Sequence, residues 1–392
     1  MQLCGIICEF NPFHNGHKYL IEQAKKLTGE KIVCLMSGNF VQRGEPAFQE
    51  KYQRAKNAIF CRADVVLELP TIYACSNAEN FAYGSIKTLK ALNVKHLAFG
   101  IENTTLEILQ RIADIKYKNS ISFQNSFKNE IENGINYNTA LKRAIAKEAN
   151  YENITEILEK PNNILAIEYL TAIKKLNANI TPIAIQRVDN GYNSNIELNS
   201  YLSASGIREK LLGGGDISKF IPQEASISEY FNETHKIIFN TLSIYTIRNK
   251  KPTELEKCYD YNEGIEYRIK KLANQTSYLD DLINLVATPR YRVARVKKLL
   301  LYPLLNITKQ LVELAKKSKP VSKVLAIKKS NKDFLSSINK KKICLITTNK
   351  DYENLPASCK KVIDVDLSAS SLYCAITNKQ NNNDKKTGVL FL

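Results

Sequence analysis

Four histidines occur in the 392 residues, at positions 14, 17, 96 and 235, and two of them stand three apart in Glu9-Phe10-Asn11-Pro12-Phe13-His14-Asn15-Gly16-His17. Imidazoles at i and i+3 share one face of a helical turn. The glycine between them lets backbone or ligand approach closely. The run follows the apolar stretch Cys4 to Cys8 and precedes one in which Leu20, Ile21, Ala24 and Leu27 recur at helical spacing. Such a strand-to-helix junction offers free N–H groups and the positive end of a helix dipole at the carboxyl edge of a sheet, the setting in which phosphate chains bind. His14, His17 and the adjacent Lys18 could there hold a triphosphate and stabilise charge developing at phosphorus. The structural alternative is a pair of satisfied histidines at a helix start. A zinc pair lacks a third ligand at metal-site spacing, so no protein-held metal centre is expected.

A second element, Leu202-Ser203-Ala204-Ser205-Gly206-Ile207-Arg208, stands at the start of a late helical pattern that Gly213-Gly214-Gly215 ends. The hydroxyls of Ser203 and Ser205, a helix N-terminus and the Arg208 guanidinium together suit β- and γ-phosphates. A plain serine N-cap accounts for the same residues taken alone.

The elements that must position these groups alternate. Cys4 to Cys8, Ile32 to Met36, Val65 to Leu69 and His96 to Gly100 read as strands, with amphipathic helices between them carrying Ala55, Ala58 and Ile59, then Ile86, Leu89 and Leu92. This order predicts a parallel α/β sheet with right-handed crossovers. Residues 104–180 read as helical, Ile183 to Val188 as a strand, and Asp189-Asn190-Gly191-Tyr192-Asn193 as turn. We therefore expect a Rossmann-like catalytic domain over 1–235 and a basic helical region over 236–318. A small α/β appendage over 319–392 is expected to contain strands at Val321 to Ile327, Ile343 to Thr347 and Val362 to Val365 and to end in a polar, mobile tail over 378–386.

Charge is distributed unevenly. Residues 1–235 carry 26 Lys+Arg against 25 Asp+Glu, whereas residues 236–392 carry 30 against 14, so nearly all of the net +17 lies in the second part. A coding bias toward lysine would raise both parts alike; a polyanion partner for the C-terminal region explains the asymmetry. The nine cysteines include no CxxC pair and several sit in apolar runs, which reads as reduced core residues. No run approaches the roughly 20 apolar residues of a membrane span, and the N-terminus lacks signal-peptide features, so a cytoplasmic protein is expected.

The histidine run resembles the GxFDPxHxGH signature of HxGH-type nucleotidyltransferases, with Asn11 in the place of the usual aspartate, and the Ser203–Arg208 run resembles their ISSTxIR motif. Three further strings, Met36-Ser37-Gly38-Asn39-Phe40-Val41-Gln42-Arg43-Gly44-Glu45-Pro46-Ala47, Asp64-Val65-Val66-Leu67-Glu68-Leu69-Pro70 and Lys160-Pro161-Asn162-Asn163-Ile164-Leu165, make it similar to the bacterial tRNA(Met) cytidine acetate ligases over residues 1 to about 210. That resemblance implies an enzyme that uses ATP, with Mg²⁺ accompanying it, to form acetyladenylate, and then acetylates the wobble cytidine of elongator tRNA(Met). It also implies an ATP site over Ile7, Cys8, Glu9, Phe10, Asn11, Pro12, Phe13, His14, Asn15, Gly16, His17, Lys18, Tyr19 and Leu20, joined by Gly100, Asn162 and Arg187. Ser37, Gly38 and Asn39, at the carboxyl edge of the second strand, are the expected acetate pocket, unless they are only a loop. Arg290, Arg292, Arg295, Lys297 and Lys298, around Tyr291, are the expected RNA grip, with Arg268, Lys270, Lys271, Lys316, Lys317 and Lys319 nearby. Two other readings stay open: a nucleotidyltransferase acting on a small phosphorylated metabolite, and a noncatalytic RNA-binding protein on a degenerate nucleotide fold. Oligomeric state is not legible.

Overall fold

The computed structural model describes all residues except 1, 136, 150–153, 188–199, 381–383 and 386. Ten strands are described: β1 Leu3–Cys8, β2 Lys31–Ser37, β3 Phe40–Val41, β4 Glu45–Pro46, β5 Val65–Leu69, β6 His96–Ile101, β7 Thr181–Gln186, β8 Val321–Ile327, β9 Cys344–Ile346 and β10 Leu390–Phe391. The central sheet runs β10-β8-β5-β2-β1-β6-β7, with β9 also paired to β8, and β3 and β4 form a separate hairpin. From β5 to β7 every pairing is parallel. The chain builds outward from β1 to β5 on one side and then from β6 to β7 on the other. The direction of winding therefore reverses at β1, and ligands of open α/β sheets bind at the carboxyl ends of the strands beside such a reversal.

Alternation decides what lies on each face of this sheet. Cys4, Ile6, Ile32, Cys34, Met36 and Val66 point to one side, where they meet Ile21 and Ala24 of helix α1 (Asn15–Thr28) and Ala55, Ala58 and Ile59 of helix α2 (Lys51–Phe60). Leu3, Val33, Leu35, Val65, Leu67 and Leu97 point to the other, against Phe81, Ile86 and Leu89 of helix Ala78–Ala91 and Ile167 and Leu170 of helix Pro161–Lys175. Strands apolar on both faces are what a sheet covered by helices on each side requires.

The second apolar layer continues without a break into the helices of residues 233–317, taking in Phe239, Ile247, Leu282, Leu299 and Leu300. The C-terminal segment is not set apart as an appendage. β8 pairs antiparallel with β5, and all seven of its residues are buried, so this segment extends the same sheet. The expected strand Val362 to Val365 is a correction: these residues lie in helix Ala357–Ile376, whose buried positions Cys359, Val362, Ile363, Asp366, Ala369, Ser370 and Tyr373 recur at helical spacing. The polar tail likewise departs from expectation at Asp384, which is buried and ion-paired to Lys51 and Lys323. β7 begins two residues before the expected Ile183, and the turn expected at 189–193 lies outside the described residues.

Candidate active site

Immediately after β1 the chain turns through Phe10, at φ 50°, and a cis Asn11–Pro12 peptide into α1. Phe10 and Phe13 are fully buried with ring centroids 4.8 Å apart, which anchors the loop to the core. His14 is the N-cap of α1. Its Nδ1 accepts from Gly16 N at 3.0 Å, and its own N–H donates to His17 Nδ1 at 3.3 Å. A side chain at position 16 would meet His14 Cε1 at 2.9 Å, so the glycine is what allows this cap to close. Because both Nδ1 atoms accept backbone N–H groups, neither carries a proton, and each neutral ring presents an Nε2–H donor instead. The rings stack with centroids 3.7 Å apart. Burial, reinforced by the Arg187 charge, lowers the His14 pKa to about 3. His17 is also held well below its ordinary value, by burial, His14 and Arg187. The site thus offers two neutral donors rather than two imidazolium ions.

The second motif reaches the first across almost 200 residues. Arg208 Nη1 donates to Asn11 O at 2.6 Å, and Asn15 Nδ2 donates to Ser200 O at 3.0 Å and Lys219 O at 2.8 Å. Ser203 caps helix Ala204–Leu212, accepting from Gly206 N at 3.2 Å, while its Oγ lies 3.0 Å from that of Ser205. Both helix N-termini therefore stand at the same sheet edge. Lys18 Nζ is paired with Glu224 at 2.7 Å on the surface, a contact that water weakens and a phosphate can replace.

Gly100, Asn162 and Arg187 also converge, and the residue that gathers them is Glu102, which the sequence did not single out. Asn162 Nδ2 donates to Glu102 Oε1 at 2.8 Å, Arg187 Nη1 lies 3.8 Å from the same oxygen, and the Arg187 stem packs over Gly100. Asn163, fully buried, donates to Glu102 O and accepts from Glu102 N, fixing the backbone there. Glu102 Oε2 is buried with no hydrogen-bond partner among the described residues. An unsatisfied carboxylate oxygen beside a nucleotide site suits a ribose hydroxyl or an exocyclic amine.

Ser37, Gly38 and Asn39 are enclosed rather than open. Asn39 Oδ1 accepts from Lys51 N at 2.9 Å, a side chain on Gly38 would overlap the Glu68 carboxylate, and Ser37 Oγ is buried without a partner among the described residues. Arg54, also missed from sequence, explains the enclosure. Fully buried, it donates to Glu9 O at 2.6 Å, Ser37 O at 3.0 Å, Gln49 O at 2.9 Å and Gly38 O. It thereby ties together the loops that follow β1 and β2. Its signal lay in α2, where Lys51 and Arg54 fall on the same helical stripe as the apolar Ala55 and Ala58.

Most of the expected RNA-contacting cations have partners within the chain. Arg295 makes a two-pronged pair with Asp260 at 2.7 and 2.9 Å and lies over the Tyr291 ring; Arg290 pairs with Glu263; Lys297 pairs with Glu45 at 3.2 Å. Lys298 donates to Ser76 O at 3.1 Å, and burial lowers its pKa. Arg292 is exposed. Lys270 caps the carboxyl end of helix Glu233–Asn249 through Ile247 O and Lys250 O, Arg268 donates to Leu285 O, Lys316 pairs with Glu313 and Lys319 donates to Lys340 O, whereas Lys271 and Lys317 are exposed. Among the described residues no group of three or more His, Cys, Asp or Glu side chains is placed to hold a metal ion, and no helix is long and apolar enough to cross a membrane.

A family model described as HIGH Nucleotidyl Transferase matches residues 1–388. The tRNA(Met) cytidine acetate ligase of Thermoanaerobacter sp. (strain X514) is 36% identical over 383 residues, covering 95% of each chain. The chain belongs to the tRNA(Met) cytidine acetate ligases of the HIGH nucleotidyl transferase family. A relative of the same name in Acetivibrio thermocellus is 33% identical and covers 95% of this chain and 94% of its own. Among solved structures, Thermotoga maritima TmcAL bound with alpha-thio ATP superposes with a TM-score of 0.86 at 26% identity over the full length of both chains. In this family member the HxGH histidines and Arg208 occupy one edge of the parallel sheet, as the two motifs imply.

Proposed function

We propose that the chain activates acetate with ATP as acetyladenylate and transfers the acetyl group to the exocyclic amine of the wobble cytidine of elongator tRNA(Met), in the cytoplasm. The observation that carries this reading is the convergence of two neutral Nε2–H donors, two helix N-termini and Arg208 at the carboxyl edge of β1, in a chain whose full-length relatives bear the name of that reaction. An acetate oxygen attacks the α-phosphorus and pyrophosphate leaves; the cytidine nitrogen then attacks the acyl carbon, AMP leaves and the nitrogen sheds a proton. His14 and His17 donate to the phosphate oxygens as charge builds on them, and a fixed donor of this kind costs no reorganisation at the moment of reaction. Arg208 and the Ala204–Leu212 N-terminus receive the departing pyrophosphate, while Gly100, Glu102, Asn162 and Arg187 hold the adenosine. Mg²⁺, carrying compensating charge, would be held chiefly by the triphosphate itself, since no cluster of carboxylates is placed for it among the described residues. The excess of cations over residues 236–392 gathers the RNA.

The test is transfer of labelled acetate into tRNA with and without ATP, using wild type and His14→Ala. ATP-dependent labelling of elongator tRNA(Met), reduced at least 100-fold in His14→Ala, is expected. Adenylylation of a phosphorylated metabolite with no label entering RNA would replace this reading.

A further inference from the structure

Against the histidine loop lies a cavity of about 250 Å³ that shares Asn11 and Arg208 with the nucleotide site but is lined by none of His14, His17, Gly100, Glu102, Asn162 and Arg187. Its floor is Asn11 and Arg208, its near wall the β3–β4 hairpin, and its far walls helices Glu233–Asn249, Leu279–Val286 and Val293–Leu305. We propose that this cavity receives the acceptor base, an unstacked pyrimidine from an RNA loop; the proposal rests on the acetyl-transfer reading above.

Position comes first. Asn11 adjoins Phe10, whose ring lies 4.9 Å from that of His17, and stands three residues before His14, so a base lodged on Asn11 lies beside the histidine turn that holds the phosphates in the reading above. The walls come next. Phe48, Phe231, Phe239 and Leu300 give flat or apolar surface of the kind against which flipped bases stack. Charge supplies the third argument. Glu45 is paired with Lys297 at 3.2 Å and Lys236 with Asp280 at 2.9 Å, and the two other charged residues of the lining, Glu233 and Arg208, are of opposite sign. A chamber whose charges are matched suits a neutral heterocycle better than a carboxylate or a phosphate chain, and its volume is several times what acetate fills.

Hydrogen-bonding capacity is left over in the same place. Phe48 N donates to Asn11 Oδ1 at 2.6 Å, which settles the orientation of that amide and leaves its Nδ2 donor without a partner among the described residues. The Asn240 side chain, half-buried on the cavity wall, likewise has none there. Two amides with spare donors and an acceptor match the O2, N3 and amine edge of cytosine. The wall is also preformed. Gly44, at φ 77°, packs so closely on the backbone of Lys297 and Lys298 that a side chain would meet Lys298 N at 2.8 Å, which locks the hairpin to the basic helix. One helix thus both bounds the cavity and carries Arg295, Lys297 and Lys298 of the basic region.

The experiment separates the two half-reactions in Asn240→Leu and Asn240→Ala. Acetate-dependent exchange of pyrophosphate into ATP reports adenylate formation, acetyl transfer to tRNA(Met) reports the whole reaction, and filter binding reports tRNA affinity. We expect exchange within twofold of wild type in both variants, which also shows that they fold. The tRNA dissociation constant should change by less than threefold, since phosphate contacts dominate it. Transfer should fall at least tenfold in Asn240→Leu, with a smaller loss in Asn240→Ala. Transfer unchanged in both variants overturns the pocket. Exchange lost together with transfer assigns the cavity to adenylate formation and overturns it too. A wild type that neither exchanges nor transfers overturns the acetyl-transfer reading, and this one with it.

Discussion

Proton positions at His14 and His17 follow from backbone geometry. Each Nδ1 is occupied by an N–H of the capping turn, so the outward nitrogen of each ring must be the donor, and burial keeps both rings neutral. This has a consequence for stability. A histidine whose folded value lies near 3 but whose unfolded value is about 6.5 binds a proton more readily when the chain unfolds. For His14 the contribution is complete above about pH 6.5 and is lost as pH falls from there toward 3, by about 1.4 kcal/mol per pH unit, and His17 acts in the same direction. Urea midpoints measured between pH 7 and 4 should therefore fall more steeply for wild type than for His14→Asn/His17→Asn; parallel curves would contradict neutral burial. The histidine pair was legible because a motif binds residues close in sequence. Glu102 was not, because its partner Asn162 comes from 60 positions away and nothing around Ile101-Glu102-Asn103 marks it.

At the scale of elements, the loops after β1 and β2 are held by one guanidinium. Arg54 donates to four carbonyls, those of Glu9, Ser37, Gly38 and Gln49, and burial lowers its pKa without removing its charge. Arg54→Met should cost about 3 kcal/mol, because each orphaned buried carbonyl is penalised by roughly 1–3 kcal/mol and some will relax toward water. It should also raise the KM for ATP, since Glu9 and the turn into α1 lose their brace. Urea unfolding and initial-rate kinetics check the two parts. The strands β1, β2, β5 and β6 were readable from short apolar runs, whereas Val362 to Val365 misled for the same reason: four apolar-rich residues fit a strand, and only the longer window from Cys359 to Tyr373 reveals the helical period.

At the scale of the whole molecule, the residues from Val321 onward extend the central sheet. β8 covers the edge of β5, Asp366 Oδ1 accepts from Thr71 N at 2.6 Å, Tyr373 donates to Ala47 O at 3.0 Å, and Asp384 closes a buried cluster with Lys51, Lys323, Ser370 and Tyr52. Burial alone would make Lys51 less basic, but the Glu68 and Asp384 carboxylates outweigh it and hold the ammonium charged. Removing Asp384 would leave two enclosed cations with one fewer counter-charge. Asp384→Ala is therefore expected to destabilise the chain by about 3–5 kcal/mol. Asp384→Asn, which keeps two of the hydrogen bonds, should cost less, and chemical denaturation of both variants decides between this cluster and a dispensable tail. The basic region shows a related redistribution. Arg290, Arg295, Lys297 and Lys298 are engaged internally, yet 30 cations facing 14 acids over residues 236–392 leave an excess that no pairing within that stretch can cancel.

The sequence by itself determined the histidine turn, the succession of the first four parallel strands along the chain, the family and the part of the chain in which positive charge accumulates. Those features depend on residues near one another or on sums over long stretches, and neither needs a third dimension. Only the tertiary structure decided that Arg208 rests on Asn11, that Glu102 gathers Asn162 and Arg187, that Arg54 and Asp384 brace the site from within, and that a neutral cavity opens between the histidine loop and the basic helices. Each includes a contact between groups 45 or more residues apart, and for such pairs hydrogen-bond reach is set by how the layers pack and not by the spacing along the chain.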